Sequence, residues 1–504
     1  MSWPLFEAAG LLAAILFLLY YYSTSLLQYW EKRGAKGPKP IPFLGNFKDM
    51  FLGKSSFNDC IIKAYYEFKD EPLIGVFSGH IPILIVRDPD LMKDVLIKDF
   101  SKFADRMTKP NEEIEPFSLH LFRLDGKRWK PLRTRFSPVF SSGKLKEMFY
   151  LILECGNHFE KYLDTMVSKE GNKGAIIDCR DISAKFTTDV IGSCAFGIEM
   201  NALAAEDSEF REMGKRVFQT SWKTVLRDRL REYPFLFKIF ARFILDYEIV
   251  DFFTRITKES IDYRIKHNVH RHDFIDVLVD LKQNPGKIEL EDFNDLFLTA
   301  QAFVFFAAGF ETSSVTITNA LYELALNPSI QEKVRTEIQN VLKRNNGEIT
   351  YDSIKEMKYL DAVFQETLRK YPVVLWLSRK ATTNYTFSGT KVNIEKGQLV
   401  ILPVFAIQRD PDIFPDPEVF DPNRFTDESA KTRHPMLFLP FGDGPRNCIG
   451  ARFAKIQSKI AMIKFLSNFK VDVCEQTVKT YEIEKKSLLL LQPSHEVNLR
   501  ITKI

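Results

Sequence analysis

The chain has 504 residues, 45% hydrophobic and 27% charged, with 44 phenylalanines as the one excess; this is a globular composition. A formal net charge of +4 is too small to argue for nucleic acid, and no RNP-like, finger or basic-helix pattern accompanies it. The six cysteines stand singly, without a CxxC pair, as in a reducing compartment, and the eight histidines lack HExxH spacing. His267, His270 and His272 lie in a polar stretch that reads as solvated surface.

From Ala8 to Leu27 there is no charged residue. A helix of that length measures about 30 Å, the thickness of a bilayer core. Tyr20, Tyr21, Tyr22 and Trp30 supply interfacial aromatics, and Lys32, Arg33, Lys36 and Lys39 follow the span. Positive flanks stay cytosolic, so residues 1–30 read as a membrane anchor with the bulk of the chain in the cytosol. A buried core helix is the rival reading. Residues 31–45 form a basic tether whose prolines at 38, 40 and 42 favour a stiff, extended path. With no repeat, low-complexity tract or second linker, residues 46–504 read as one body.

Within that body, residues 72–89 are expected to pair as strands, and "PDLMKDVLIKD" to form the next helix. Helices are expected over 144–167 and 181–195. Residues 206–340 read as mostly helical, with breaks near Pro234, His267–His272 and Asn284–Gly286. Further helices are expected at 352–370 and 451–468, and strands around 384–403, 470–473 and 480–501. Helix dominates with a smaller β-rich region, an alternation that a large α/β enzyme would also show.

The segment 295–326 is apolar on nearly every face through Ala308, as suits a helix in the middle of a core. Ala308 and Gly309 let something bulky approach its backbone. Glu311 and Thr312 then place a carboxylate and a hydroxyl in apolar surroundings, either as a site or as a satisfied polar pair. Glu366 and Arg369 share a helix face at i,i+3 between apolar flanks; with Arg424 they read as a buried structural network. Trp129 and Arg133 lie among Lys127, Arg128, Lys130 and Arg135. This basic patch suits solvent, an acidic partner or an anionic cofactor. Cys448 closes "FGDGPRNC", a glycine-rich run that an inert core cysteine does not need.

Together "FGDGPRNCIG", "AAGFETS", "ETLR", "DPNRF" and "WKPLR" stand in the order seen in one family. The chain resembles a eukaryotic microsomal cytochrome P450, most closely insect enzymes related to vertebrate drug-metabolising ones. The resemblance runs from the anchor to the C-terminal strands. It implies the cytochrome P450 fold with an N-terminal transmembrane anchor and a haem b whose iron is ligated by the Cys448 thiolate. A thiolate donates charge to iron and favours O–O cleavage. It further implies Trp129, Arg133, Arg379 and Arg446 at the haem propionates, and Glu366, Arg369 and Arg424 as a structural triad. Ala308 and Gly309 would form the distal bend, with Thr312 at the oxygen site and Glu311 relaying protons.

By the same resemblance the substrate pocket is lined by Phe117, Leu119, Phe303, Val304, Val373, Val374, Leu375, Leu488 and Leu489. The aromatic segment 233–243 is either a core helix or one that dips into lipid. "YPVVLWLSR" is poorer in proline than the family usually is there, so no particular substrate follows. No GxGxxG stands beside a strand, so electrons must come from NADPH through a partner. The resemblance names NADPH–cytochrome P450 reductase, aided by cytochrome b5, docking on Lys127, Arg128, Lys130, Arg135, Arg452, Lys455 and Lys459. The expected activity is insertion of one oxygen atom into lipophilic xenobiotics such as plant toxins or insecticides, on the cytosolic face of the endoplasmic reticulum. A dedicated hydroxylase of an endogenous steroid, terpenoid or fatty acid, and a non-catalytic haem- or hydrophobe-binding protein, are the alternatives. Asn384 sits in an N-x-T sequon that a cytosolic body would leave unmodified.

Overall fold

The computed structural model describes residues 3–504 except 108, 109, 112, 199, 201, 204–207, 220, 232, 233, 272, 285, 287–293, 427–429, 431, 488 and 489. Helix α1 (Trp3–Leu26) stands apart from the body, with Phe6 77% and Phe17 66% exposed. Trp30, expected at a membrane interface, is instead buried under β1 (Leu73–Ser78). Its indole N–H donates to the Val76 carbonyl at 3.0 Å. The ring fits because Gly75 has no side chain: a Cβ there would lie 2.3 Å from Trp30 Cγ. Gly75 N–H also donates to the Lys36 carbonyl, so the tether is hydrogen-bonded to the body.

Strand β1 pairs antiparallel with β2 (Ile81–Val86), as the sequence predicts. Beyond them come α2 (Gly126–Phe136), α3 (Phe149–Glu170), β3 (Ala175–Asp178) and α4 (Cys179–Ile191). Asp125 caps α2 by accepting from the Lys127 and Arg128 N–H groups, which fixes where its basic face begins. Two shorter helices, α5 (Trp222–Leu230) and α6 (Pro234–Ile244), flank the expected break at Pro234. The breaks expected at His267–His272 and Asn284–Gly286 are also present: one helix ends at His267, where Asn268 takes a φ of 50°, and the next runs from Phe274 to Gln283, with His272 and Pro285 themselves outside the described residues.

The longest helix, α7 (Asp295–Leu326), runs through the core with α4 against it. Its length and hydropathy would suit a membrane, but most of its apolar stretch is buried inside the protein. Gln301 in its second turn accepts from Leu121 N–H and donates to the Leu119 carbonyl, pinning the loop before α2. After α8 (Lys358–Lys370) come β4 (Leu377–Lys380) and β5 (Leu399–Leu402), which complete a four-stranded sheet in the order β1-β2-β5-β4. Helix α9 (Ala451–Asn468) follows the cysteine loop. Strands β6 (Phe469–Asp472) and β7 (Asn498–Lys503) then close a small sheet with β3. The predicted strand at 480–501 is reduced to β7 and isolated bridges. The fold is mainly α with a minor β region, as expected.

Candidate functional site

One cavity of ≈ 2860 Å³ lies between α7, the loop before α2, the segment 373–380 and the cysteine loop. Cys448 lines it. The loop is folded by Cys448 N–H donating to the Phe441 carbonyl at 2.9 Å and Asn447 N–H to Gly444 at 3.0 Å. Gly442 and Gly444 have φ of 66° and 72°, where side chains are strained. At Gly444 a Cβ would also lie 1.9 Å from the Leu96 carbonyl oxygen. Although Cys448 opens onto the cavity, the surrounding protein raises its thiol pKa above the ordinary range. The Gly450 N–H and the charges of Arg133 and Arg106 oppose that rise by favouring thiolate.

Cations gather on the same wall, Arg379 and Arg446 buried and Arg106 half-buried. Arg446 donates to the carbonyls of Ala104 and Leu124, and its guanidinium stacks 4.3 Å from the Trp129 ring. The Arg379 side chain, on a residue 2% exposed, bonds among the described residues only to the Ser378 carbonyl. Arg106, which no motif marks, donates to the carbonyls of Arg446 and Phe122. Desolvation, joined by repulsion among these arginines, lowers the pKa of Arg106, Arg379 and Arg446 to about 9 each. Arg379 Nε and Arg446 Nη1 are buried without a hydrogen-bond partner among the described residues. Such a cluster calls for a buried anion with several oxygens. Arg133 differs: it grips the Asn447 carbonyl and Oδ1 at 3.0 and 2.8 Å and so braces the loop beside Cys448. A thiol and a set of cations on one wall of an apolar cavity fit a haem held through sulfur and propionates.

On the opposite side Ala308, Gly309 and Thr312 line the cavity. Thr312 Oγ1 donates to the Ala308 carbonyl at 2.7 Å. Gly309 serves packing as well: its Cβ would meet Ile191 Cδ1 at 2.5 Å, and its carbonyl accepts from Gln457. Glu311 does not line the cavity; it is buried between Arg180 and Gln492. Phe117, Phe303, Val304, Val373 and Val374 all line the cavity, with the Phe117 and Phe303 rings 4.8 Å apart.

Two expected pocket residues turn away. Leu119 packs into the core because Gln301 holds its backbone, so His120 and Leu121 take the wall. Leu375 packs under the sheet with Tyr371, while Trp376 lines the cavity. Leu488 and Leu489 lie outside the described residues.

The triad residues meet. Arg369 donates to both Glu366 oxygens at 2.7 and 2.8 Å, both side chains are fully buried, and Arg424 Nε stands 3.6 Å from Glu366. Of the basic patch, Lys127, Lys130 and Arg452 are exposed, Arg135 is half-buried, and Arg128 pairs with Asp125. Lys459 must be removed from it: it is buried and bound to Asp361 at 2.6 Å, and Lys455 binds the same carboxylate at 2.7 Å. The face of α9 that carries these two lysines meets α8, which supplies Asp361. Asn384 is exposed.

The cytochrome P450 family model matches residues 35–499. Cytochrome P450 6a2 of Drosophila melanogaster is 40% identical over 496 residues, covering 96% of this chain and 97% of that protein. Cytochrome P450 6A1 of Musca domestica is 40% identical, with 96% and 95% covered. Cytochrome P450 6B1 of Papilio polyxenes is 38% identical, with 94% and 95% covered. The matched span contains the cysteine loop, the arginine cluster and every cavity-lining residue but Tyr29: the chain belongs to the cytochrome P450 family and is a monooxygenase of it.

Proposed function

We propose that this monooxygenase oxidises lipophilic small molecules, chiefly xenobiotics, with Cys448 as the iron ligand and Arg106, Arg379, Arg446 and Trp129 holding the propionates. The observation that carries the reading is the cavity with Cys448 and the under-partnered arginines on one wall and phenylalanine and valine on the other. The thiolate-ligated haem supplies dioxygen activation. The protein residues have other tasks. Phe117, Phe303, Val304 and Val373 exclude water and seat an apolar substrate. Thr312 offers a hydroxyl at the cavity face, and Glu311 relays protons from the solvent side. The reaction RH + O2 + NADPH + H+ → ROH + H2O + NADP+ consumes protons that the apolar wall does not otherwise supply.

An apolar wall discriminates weakly, since one methylene is worth about 1–3 kcal/mol. This favours a broad substrate range. The reading is tested by the carbon monoxide difference spectrum, which Cys448→Ser should abolish, and by a turnover panel of plant toxins, insecticides, steroids, terpenoids and fatty acids. Selective turnover of one endogenous compound would replace detoxification with biosynthesis. The reading includes α1 as an anchor in the endoplasmic reticulum membrane, the body on the cytosolic side, and electron delivery by NADPH–cytochrome P450 reductase, aided by cytochrome b5. Support for membrane contact comes from α6, where Phe235, Ile239 and Phe243 are 78%, 51% and 70% exposed beside Lys238 and Arg242.

A further inference from the structure

Glu311 is 4% exposed, and its Oε1 accepts two hydrogen bonds that arrive from different parts of the protein. Arg180 Nη2, at 3.2 Å, belongs to the first turn of α4, and 32% of that side chain is exposed. It links the carboxylate to solvent. Gln492 Nε2, at 3.0 Å, is buried and belongs to the C-terminal segment before β7. That segment is stitched to the cavity wall: Leu491 N–H donates to the Val373 carbonyl at 2.8 Å, and Leu490 bridges to Val374. Val373, Val374 and Leu490 line the cavity. One residue after that seam, Gln492 carries the wall's position to Glu311, which neighbours the cavity-facing Thr312.

We propose that Gln492 is a positioning residue for Glu311, holding the carboxylate in register with the substrate wall so that a bound molecule sets how protons pass from solvent beside Arg180, through Glu311, toward Thr312. This rests on the reading of Glu311 as a proton relay. A buried carboxylate takes its orientation from its donors. Without Gln492, the remaining bond to Arg180 draws Glu311 toward solvent. Slower proton delivery then diverts electrons into O2 + NADPH + H+ → H2O2 + NADP+.

The test uses the full-length haem-loaded protein with its reductase, and 7-ethoxycoumarin as the molecule filling the cavity. Gln492→Leu should raise the share of NADPH ending as hydrogen peroxide about threefold, with the carbon monoxide spectrum and ethoxycoumarin binding unchanged. Gln492→Lys, which keeps a donor, should stay near the wild-type share. The double variant with Glu311→Gln should leak no more than Glu311→Gln alone. Independently of turnover, a thermal-unfolding cycle on the two substitutions should show non-additivity. An unchanged peroxide share in Gln492→Leu, or additive effects in either measurement, overturns the inference while leaving Glu311 as relay. If Glu311→Gln itself leaves the share unchanged, the relay reading falls and this inference with it.

Discussion

Arg369 has no exposed surface, yet it carries a full charge, and its partners explain how. Glu366 takes two of its N–H groups, and the carbonyls of Gln408 and Pro417 take others. Removing one member of such a pair leaves a buried charge uncompensated, so Glu366→Ala should destabilise the protein by about 3–5 kcal/mol, read by chemical denaturation. Gly444→Ala should also fail, for a different reason. Its φ of 72° and the Leu96 carbonyl both resist a methyl group, so the cysteine loop must shift. The expected result is a protein of near-normal helix content by circular dichroism that loses its carbon monoxide band. Both sites could be read in the sequence, because glycine spacing and an i,i+3 charge pair are local patterns. Arg106 could not, since it stands in an irregular loop and joins Arg446 only through the tertiary fold. The direction of Glu311 was hidden likewise: adjacency to Thr312 fixes its height along α7, not the side it faces.

At the level of elements, the loop before α2 is tied to α5 and α6 by contacts separate from the main core. Ile114 packs with Phe237, Ala241 and Ile244, and Glu115 accepts from Arg123 and from Arg231 just beyond α5. Burial pushes the Glu115 carboxyl upward, but Arg123 and Arg231 outweigh it and hold the group below the usual carboxylate range. A depressed carboxylate pKa stabilises at pH values above the unfolded value and loses that contribution on acidification. The tie should therefore persist at neutral pH and weaken below about pH 4. Glu115→Ala removes the common counter-ion of two arginines. Hydrogen exchange in residues 113–123 and 222–231 should rise about tenfold while α7 stays protected. The helices and the first hairpin were legible from periodicity and punctuation. The placement of Lys459, Leu119 and Leu375 was not, because a family resemblance marks a region of the chain without saying which way each side chain turns.

For the whole molecule, the proposed function assigns the exposed lysines of α2 to a partner side and α1 with α6 to a lipid side. Lys127 and Lys130 are exposed on α2, whose other face presents Trp129 and Arg133 to the cavity near Cys448. Lys127→Glu with Lys130→Glu should slow reductase-supported turnover several-fold, most at low salt, and leave peroxide-driven turnover intact; equal loss of both would point to misfolding. On the lipid side, deletion of residues 1–26 should weaken but not abolish flotation with liposomes, and adding Phe235→Ser and Phe243→Ser should release the protein. The seat of Trp30 under β1 bears on both sides at once. Because the indole is locked into the gap at Gly75, the chain leaves the sheet at a defined place and heading, and the joint behaves as a bracket rather than a leash. With α1 in a bilayer, that bracket would restrict the tilt of the haem plane. Trp30→Ala should keep the protein on the membrane yet broaden the haem's linear dichroism in oriented films, turning a fixed inclination into a distribution.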